Sequence, residues 1–485
     1  MKTISVRRII LAFAWLALAI SCVDMDLEPH DSKSNESALT TPADFQIATY
    51  GTYAGLVATN YVHRGHQLAG FGDDNAALMT TVGTHWFNVF NYSHFPGMTT
   101  TTQFWSQAYK VIFSANQIIE KIEDGESPAL DQLKGENLFL RAMAHFDLVK
   151  FFGRPYPQGQ GANPGVVIRD NTNGDPFPAR NTVKEVYDFI IADLEKAAAL
   201  MTLEKTASFA SKEVAYALLS RVYLYKEDNE KAIEYAGLVI NSNRYSLLPT
   251  NDYRSYFTRV PDDNSETIFA IRHTVMDNKN RGSIGSQYLT DGSCCWGQIS
   301  ASIPYIKLLN KYPEDARHSF IEIQLAPNGI DTLHRGGVPQ FYMNKYSRQE
   351  GEITLSSPVV LRLAEMYLNR AEANAKLGND QLAIDDVNVI RERAGLSGTA
   401  LYAVDDLKGH PSVFDVVLEE RRLELAFEGH RTMDLYRNNR PMVRAYDGFH
   451  SPDRFNQTIL PTSDRVIFYI PEREIIVNPN LTQNP

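Results

Sequence analysis

The chain has 485 residues, of which 44% are apolar and 22% charged, and its formal net charge is −11. This length exceeds what one hydrophobic core usually holds, so we expect two interlocked lobes. The excess of acidic residues argues against nucleic acid as a partner and against electrostatic attraction to anionic lipid.

The first residues have the pattern of an export signal. A basic start precedes an uninterrupted apolar run from Ile9 to Ile20, which is too short to span a bilayer as a helix. Ser21 and Cys22 follow, and a small residue before a cysteine resembles the cleavage box of bacterial lipoproteins. We therefore predict a lipoprotein signal peptide over 1–21 and acyl chains such as palmitate on Cys22, with an unmodified cysteine after ordinary cleavage as the alternative.

Residues 22–41 are polar, rich in serine and aspartate and without period, which predicts a flexible tether. A helical pattern then starts at Thr41-Pro42, where proline in the first turn costs no hydrogen bond. From Asn60 to Thr102 the sequence is dense in glycine, asparagine, threonine and aromatic residues, and it sustains neither helical nor strand period. We predict a long loop there, and long loops are usually functional.

Helical periodicity resumes at Phe104-Trp105, and a partner helix is predicted over Leu133–Phe152. Residues at the spacing of tetratricopeptide repeats recur in three places: Ala142 with Phe146, Tyr216 to Val239, and Tyr367 to Ile390. The copies are not in tandem, so we predict a mainly α fold in which interrupted tetratricopeptide-like hairpins form a superhelical scaffold, with large loop-rich insertions and a few short strands. The predicted divisions are an N-terminal half at 42–246, a loop-rich insertion at 247–357 and a C-terminal helical region at 358–485.

The most charged stretch runs from Asp415 to Arg440 and has one apolar face at helical spacing. We interpret its charges as structural ion pairs that tie helices together, and residues three apart, Glu419 with Arg422 and Arg421 with Glu424, can also meet on the helix surface. Gly429 is predicted to end the helix as a C′ glycine.

The same stretch resembles a known signature. The run E-E-R-R-L-E-L-A-F-E-G-H-R at 419–431, followed by Asp434-Leu435 and Arg437, is similar to the C-terminal motif of the SusD/RagB family of outer-membrane nutrient-binding lipoproteins. The helices from Pro358 and the tail from Ile470 are similar to that family as well. The resemblance implies a protein that is displayed on the cell surface, captures oligosaccharide and delivers it as a lid to a TonB-dependent SusC/RagA-like transporter. Peptide capture, as in RagB-like members, is the alternative.

A surface hydrolase is the competing class, and the sequence gives it little support. The chain has no G-x-S-x-G, H-E-x-x-H or phosphate-binding glycine motif. Asp73-Asp74 are neighbours whose side chains point apart, and the stretch from Asp170 to Asp175, although rich in oxygen ligands, lacks the order of a calcium-binding loop. We therefore predict no enzyme activity, no cofactor and no metal site.

The candidate ligand contacts follow from the resemblance and from the placement of tryptophan. Trp86 and Trp296 lie in aperiodic segments rich in small and polar residues, where starch-binding relatives have aromatic faces for sugar rings, whereas Trp105 fits a helical core. Burial of each tryptophan under its own loop is the alternative. Hydroxyl-bonding partners are predicted to be the following: Asn88, Arg64, Tyr288 and Gln298. Next to Trp296, Cys294 and Cys295 could form a vicinal disulfide that stiffens the turn, or remain free thiols.

Overall fold

The computed structural model describes residues 39–80, 84–290, 292–449 and 456–485, with the backbone alone for 84–86 and 456. The predicted signal peptide, Cys22 and nearly all of the predicted tether lie outside the described residues. Within the described part of the chain, no helix is both long enough and apolar enough to cross a membrane.

The N-terminal half is built mainly from helices. In chain order it contains α1 (Pro42–Val57), α2 (Val62–Gly70), β1 (Ala76–Leu78), α3 (Thr84–Phe90), α4 (Thr99–Ile119), α5 (Pro128–Phe152), α6 (Val183–Leu200), α7 (Lys212–Lys226) and α8 (Asn229–Ile240). Thr41 caps α1, because its hydroxyl accepts the Asp44 N–H at 3.2 Å while the Asp44 carboxylate accepts the Thr41 N–H at 3.0 Å. Helix α5 packs between α4 and α6, and Trp105 of α4 is buried as predicted.

The prediction of one long loop from Asn60 to Thr102 is wrong. The structure places α2, β1 and α3 in this stretch. Helix α2 has no side-chain cap and includes two histidines and two glycines, so its local sequence signal is weak. Its stability comes from tertiary contacts instead, since Leu68 and Gln67 are buried against the rest of the fold.

The middle of the chain is irregular, with short helices and strands. They are α9 (Thr250–Tyr253), β2 (Thr267–Ala270), α10 (Gly285–Tyr288), β3 (Ile299–Ala301), α11 (Ile303–Leu309), β4 (Ile321–Ile323), β5 (His334–Arg335), β6 (Val338–Pro339), β7 (Phe341–Met343) and β8 (Val359–Arg362). The described strands form two-stranded antiparallel sheets, which pair β1 with β3, β2 with β8, β4 with β7, and β5 with β6.

The C-terminal region returns to helices. It contains α12 (Leu363–Lys376), α13 (Asp380–Arg393), α14 (Val413–Glu424), α15 (Arg431–Arg437), β9 (Met442–Ala445), β10 (Asn456–Ile459) and α16 (Glu472–Val477), with β9 and β10 paired. Hairpins α7–α8 and α12–α13 stack side by side through α8 and α12. Ala232, Ala371 and Ala383 are fully buried at these close approaches, which confirms the predicted scaffold of interrupted helical hairpins.

The charges of α14 tie this helix to other elements, as predicted, whereas the pairs Glu419–Arg422 and Arg421–Glu424 do not form among the described residues. Arg421 is fully buried and bonds Asp434 at 2.9 Å, and Glu424 forms buried ion pairs with Arg362 and Arg393. A buried charge needs a partner of opposite charge, and Arg421 and Glu424 find theirs on other elements. Gly429 has a φ of +81° but is not the helix C′ residue, since α14 already ends at Glu424.

Candidate functional site

The segment that carries Trp296 meets the first part of the chain at the β1–β3 sheet. These strands pair antiparallel, with Leu78 opposite Ile299 and Ala76 opposite Ala301. The C-terminal end of β1 and the N-terminal end of β3 therefore lie at the same end of the sheet. The chain leaves β1 toward α3 there, and it enters β3 there from Trp296. The segment after β1 and the segment before β3, more than 200 residues apart in sequence, are thus brought to one end of the sheet.

Trp296 is exposed and held from one side by an arginine. Its side chain is 45% exposed, whereas Trp105 is 4% exposed. Its indole Nε1 donates to the Arg281 carbonyl oxygen at 3.0 Å, and the Arg281 guanidinium lies 5.3 Å from the centre of the indole ring. This is cation–π distance, so one side of the ring is occupied by the guanidinium. The exposed remainder of the ring can take an apolar ligand surface.

Arg281 also fixes the turn that precedes Trp296. Its Nε donates to the Cys294 carbonyl at 2.9 Å, and its Nη2 donates to the Ser293 carbonyl at 2.7 Å. The sulfur atoms of Cys294 and Cys295 are joined in a disulfide, so the structure has the bonded form of the two alternatives left by the sequence. The backbone N–H groups of Trp296 and Gly297 both donate to the Ser286 carbonyl, at 2.8 and 3.0 Å. The turn is therefore tied down on both sides of the ring.

A second arginine reaches the same turn from the β5–β6 hairpin. Gly336 and Gly337 form the two-residue connection, with φ of +61° and +85°, which suits the tight turn between paired strands. Arg335, at the end of β5, donates from Nη1 to the carbonyl oxygens of Trp296 and Gly297 at 2.7 and 2.8 Å. We call Trp296, Arg281, Arg335 and the described turn residues 292–298 the Trp296 surface.

The side chain of Trp86, the other predicted aromatic face, lies outside the described residues. Its backbone belongs to α3, and Asn88 lies on the same helix, half-buried, with its Oδ1 accepting a hydrogen bond from Ser93 Oγ at 3.1 Å. A shared site for Trp86, Asn88 and Trp296 stays a prediction.

Three other predicted contacts are engaged inside the fold. Tyr288 is fully buried and packs beside Phe71 and Tyr346. Its hydroxyl is hydrogen-bonded to His66 Nε2 at 2.8 Å. Burial raises the pKa of Tyr288 and lowers that of His66 to about 3, so both are neutral at pH 7. Tyr288 is therefore a core residue in the structure, and its contact with ligand stays a prediction.

Gln298 is also buried, with 6% of it exposed, and its backbone bonds both Gln287 and Met79 next to β3. Its contact with ligand stays a prediction. Arg64 lies half-buried on α2, where its Nε donates to Gln103 Oε1 at 2.7 Å and its Nη1 to Gln67 Oε1 at 3.1 Å. Its guanidinium thus links α2 to α4. For Gln298, the sequence signal of burial was its position directly before the strand Ile299–Ala301.

The sequence prediction missed Arg281 and Arg335. Arg281 stands in a polar run, N-K-N-R-G-S, that carries no period, and its partners lie 12 to 15 residues further along the chain. Arg335 could have been placed at a hairpin end from the glycine pair that follows it, but nothing in the sequence shows which strand edge the hairpin faces. Long-range backbone contacts of this kind leave no local pattern.

A concave region lies between α4, the segment 167–178 and α16. This cleft has a volume of about 330 Å³, at the low end for small-molecule sites, and Phe113 at its rim is 47% exposed. Its aromatic floor, Trp105 and Tyr109, is part of the packed core, with ring centres 4.9 Å apart. The Trp296 surface and this cleft are on different elements, so variants can separate them.

Two family models match the chain in separate regions. A model described as the SusD family matches residues 327–485, and one described as starch-binding associating with outer membrane matches residues 30–224. The chain belongs to the SusD/RagB family. Within it, the chain is 27% identical to SusD-like protein P38 of Formosa agariphila, over 100% of this chain and 99% of that protein. It is 23% identical to the starch-binding protein SusD of Bacteroides thetaiotaomicron, over 72% of each.

Solved structures agree with this assignment. A SusD superfamily protein from Bacteroides vulgatus is 29% identical and superposes with a TM-score of 0.80, covering 92% of this chain and 99% of that one. Another from Bacteroides thetaiotaomicron is 28% identical with a TM-score of 0.79, covering 92% and 100%. The SusD of Bacteroides thetaiotaomicron is named a starch-binding protein, which agrees with the prediction of a binding protein and not an enzyme.

Proposed function

We propose that this protein is a lipid-anchored binding protein of the outer-membrane surface that captures oligosaccharide and delivers it to a TonB-dependent SusC/RagA-like transporter. The observation that carries the proposal is the exposed indole of Trp296, held in place by backbone and arginine contacts. An aromatic ring stacks on the apolar C–H face of a sugar, and a ring that is already fixed loses little entropy on binding. The starch-binding name of one family model and one relative supports sugar as the ligand class.

Binding should be tested on a glycan array and then by calorimetry with the glycans that bind. Trp296→Ala should weaken binding about tenfold, or ~1–2 kcal/mol, with the fold unchanged. Phe113→Ala is the matched control, because Phe113 is similarly exposed but lies at the other cleft. Unchanged affinity in Trp296→Ala with a loss in Phe113→Ala would move the site to that cleft. Binding to peptides and to no glycan would favour the RagB-like alternative.

The anchor is tested separately at Cys22. Mass spectrometry of the mature protein should find an acylated N-terminal cysteine, and Cys22→Ala should release the protein from the membrane fraction. A free thiol at Cys22, or cleavage elsewhere, would contradict the lipoprotein assignment without touching the ligand proposal.

Delivery requires the transporter as a partner. Mild detergent extraction of cells that express both proteins should co-purify a large β-barrel protein, and the tether over 22–41 would let the protein act as a hinged lid. Elution of this protein alone in all such extracts would contradict the lid role.

A further inference from the structure

Two arginines bracket Trp296. Arg281 lies over the indole ring and bonds the turn before it, and Arg335 bonds the carbonyl of Trp296 itself. Arg281 is exposed and Arg335 is half-buried, so both guanidinium groups border solvent beside the ring. The exposed aromatic ring therefore lies in a locally cationic surface.

Among the described residues, neither arginine has a carboxylate within ion-pair distance. Their charged nitrogens bond backbone carbonyls instead: Ser293 and Cys294 for Arg281, Trp296 and Gly297 for Arg335. A carbonyl satisfies the hydrogen bond but leaves the formal charge uncancelled. Two buried arginines differ in this respect, since Arg362 and Arg421 each contact two or more carboxylates. Asp291, which is close in sequence, lies outside the described residues.

This local charge is opposite in sign to the charge of the whole chain. The formal net charge is −11, so a general repulsion of anions is expected at long range, and only a local cationic group can hold one. Neutral sugars need a ring to stack on and hydrogen-bonding groups, but they do not need two full positive charges. Carboxylates and other oxyanions do, because guanidinium donates to two oxygens of the same group.

We infer that the oligosaccharide taken by the Trp296 surface is anionic, with sugar rings that carry a carboxylate or a sulfate ester. The inference rests on the proposed function and narrows its ligand class. The ring face stacks on Trp296, while the anionic substituent of the same or the next sugar lies against Arg281 or Arg335. Among the described residues, the Nη1 of Arg281 has no acceptor within the protein, which leaves it available to such a group.

The experiment uses matched pairs of probes that differ only in charge. Oligogalacturonate is compared with its methyl ester, and carrageenan oligosaccharide with its desulfated form, each by calorimetry on the full-length mature protein. At least one charged probe should bind at least tenfold more tightly than its neutral partner. This difference in affinity should become smaller as the salt concentration rises from about 50 to about 500 mM, because salt screens the attraction between opposite charges. The pair that shows the preference separates carboxylate from sulfate.

Variants then assign the preference to the two arginines. Arg335→Gln and Arg281→Gln should each reduce the charged-to-neutral affinity ratio about three- to tenfold. Arg254→Gln is the control, because Arg254 is exposed and has no ion pair among the described residues, yet lies on another element. Since Arg281→Gln could also move the indole, Trp296 fluorescence and the neutral-probe affinity are measured in each variant, and Arg335→Gln gives an independent test.

Equal affinity for charged and neutral probes, or a preference that survives both arginine variants, would overturn the inference while leaving oligosaccharide capture intact. Absence of binding to every glycan, charged or neutral, would instead contradict the proposed function. The two failures are therefore distinguishable in the same set of titrations.

Discussion

Arg362 is fully buried and contacts three carboxylates. Its Nε lies 2.8 Å from Glu428, its Nη1 lies 3.5 Å from Glu266, and it forms a further ion pair with Glu424. Arg362→Met would remove the cation and leave these carboxylates buried without it, so we expect a loss of about 3–5 kcal/mol in the free energy of unfolding, measured in urea.

The control for this variant is an exposed ion pair. Lys231 and Glu234 lie 2.7 Å apart with side chains 45% and 50% exposed, so Lys231→Met should change stability far less than Arg362→Met. Similar small effects in both variants would show that the buried cluster is not a structural element.

Asp73 gives a pH dependence of a different kind. Burial, with a further contribution from the charge of Asp74, raises the pKa of Asp73 to about 7 from an ordinary value of 3.8. Its Oδ1 accepts the N–H groups of Asn75 and Ala76, while its Oδ2 has no hydrogen-bond partner among the described residues. The folded state thus favours the protonated carboxyl, and the stability this group contributes in acid is lost as pH rises from about 4 to 7.

Asp73→Asn keeps the Oδ1 acceptor and cannot ionise. The variant should therefore gain stability relative to the natural protein between pH 4 and 7, at a slope of up to about 1.4 kcal/mol per pH unit. Urea unfolding at several pH values measures the difference. A difference that is constant across this range would mean that Asp73 is ionised in the folded protein at low pH.

Pairing of single residues was the least predictable feature from sequence. Arg421 and Glu424 have the spacing of a surface ion pair, yet each is buried against residues that lie on other elements, such as Asp434 and Arg393. Charge spacing reports which residues share a helix face, but not whether that face is buried. The prediction that the charges are structural was correct because dense opposite charges satisfy one another whichever partners they take.

At the scale of elements, the turn with the Cys294–Cys295 disulfide carries a separate prediction. The disulfide joins adjacent residues whose Cα atoms are 3.8 Å apart, and the carbonyls on its N-terminal side both accept from Arg281. Cys294→Ser/Cys295→Ser should loosen this turn, make Trp296 more accessible to acrylamide quenching and weaken oligosaccharide binding about three- to tenfold.

The measurement is clearest in a Trp86→Phe background, which removes the other tryptophan predicted to lie in a loop. Circular dichroism and the unfolding midpoint should stay near those of the parent, because the turn lies outside the helical scaffold. Quenching and affinity that are unchanged in the double serine variant would show that Arg281 and Ser286 alone hold the ring.

Long periodic helices were predictable, and short ones were not. The pattern from Phe104 gave α4, although the helix begins at Thr99, and Leu133–Phe152 gave most of α5. These helices bury one stripe or nearly their whole surface, so apolar spacing marks them. Helices α2 and α3 are short and rich in glycine, histidine or asparagine, and they exist because neighbouring elements cover them.

At the scale of the molecule, the sequence predicted a binding surface near Trp296 but not its composition. The resemblance pointed to exposed Trp296 and also to Tyr288 and Gln298, which are buried in the fold. The surface is completed by Arg281 and Arg335, whose positions depend on a hairpin and a turn that meet only in the folded chain. Local sequence patterns cannot predict these long-range contacts, because the acceptors are backbone carbonyls, which every residue has.

The two halves of the chain are joined by a buried ion pair that should control acid stability. Asp74, just before β1, bonds Arg431 at 2.8 Å and lies 3.4 Å from Arg422, so it links the N-terminal half to α14 and α15. Burial alone would raise its pKa, but the two arginines outweigh burial and hold the pKa of Asp74 below its ordinary value of 3.8. With a lowered folded pKa, this group stabilises the protein above pH 4, and its contribution is lost as pH falls below that value.

Asp74→Asn should therefore be less stable than the natural protein by about 3–5 kcal/mol at pH 7, since it leaves Arg431 buried without its carboxylate. The difference in the free energy of unfolding should narrow as pH falls from about 4 toward about 2. In this range Asp74 becomes protonated in the unfolded natural protein, which lowers its stability, whereas the Asn side chain does not titrate. Urea unfolding at pH 7, 4, 3 and 2 measures the gap. Because Asp73→Asn is predicted to shift stability between pH 4 and 7 instead, the adjacent substitution is the matched control. A gap in Asp74→Asn that stays constant down to pH 2 would mean that the Asp74–Arg431 pair does not join the two halves in solution.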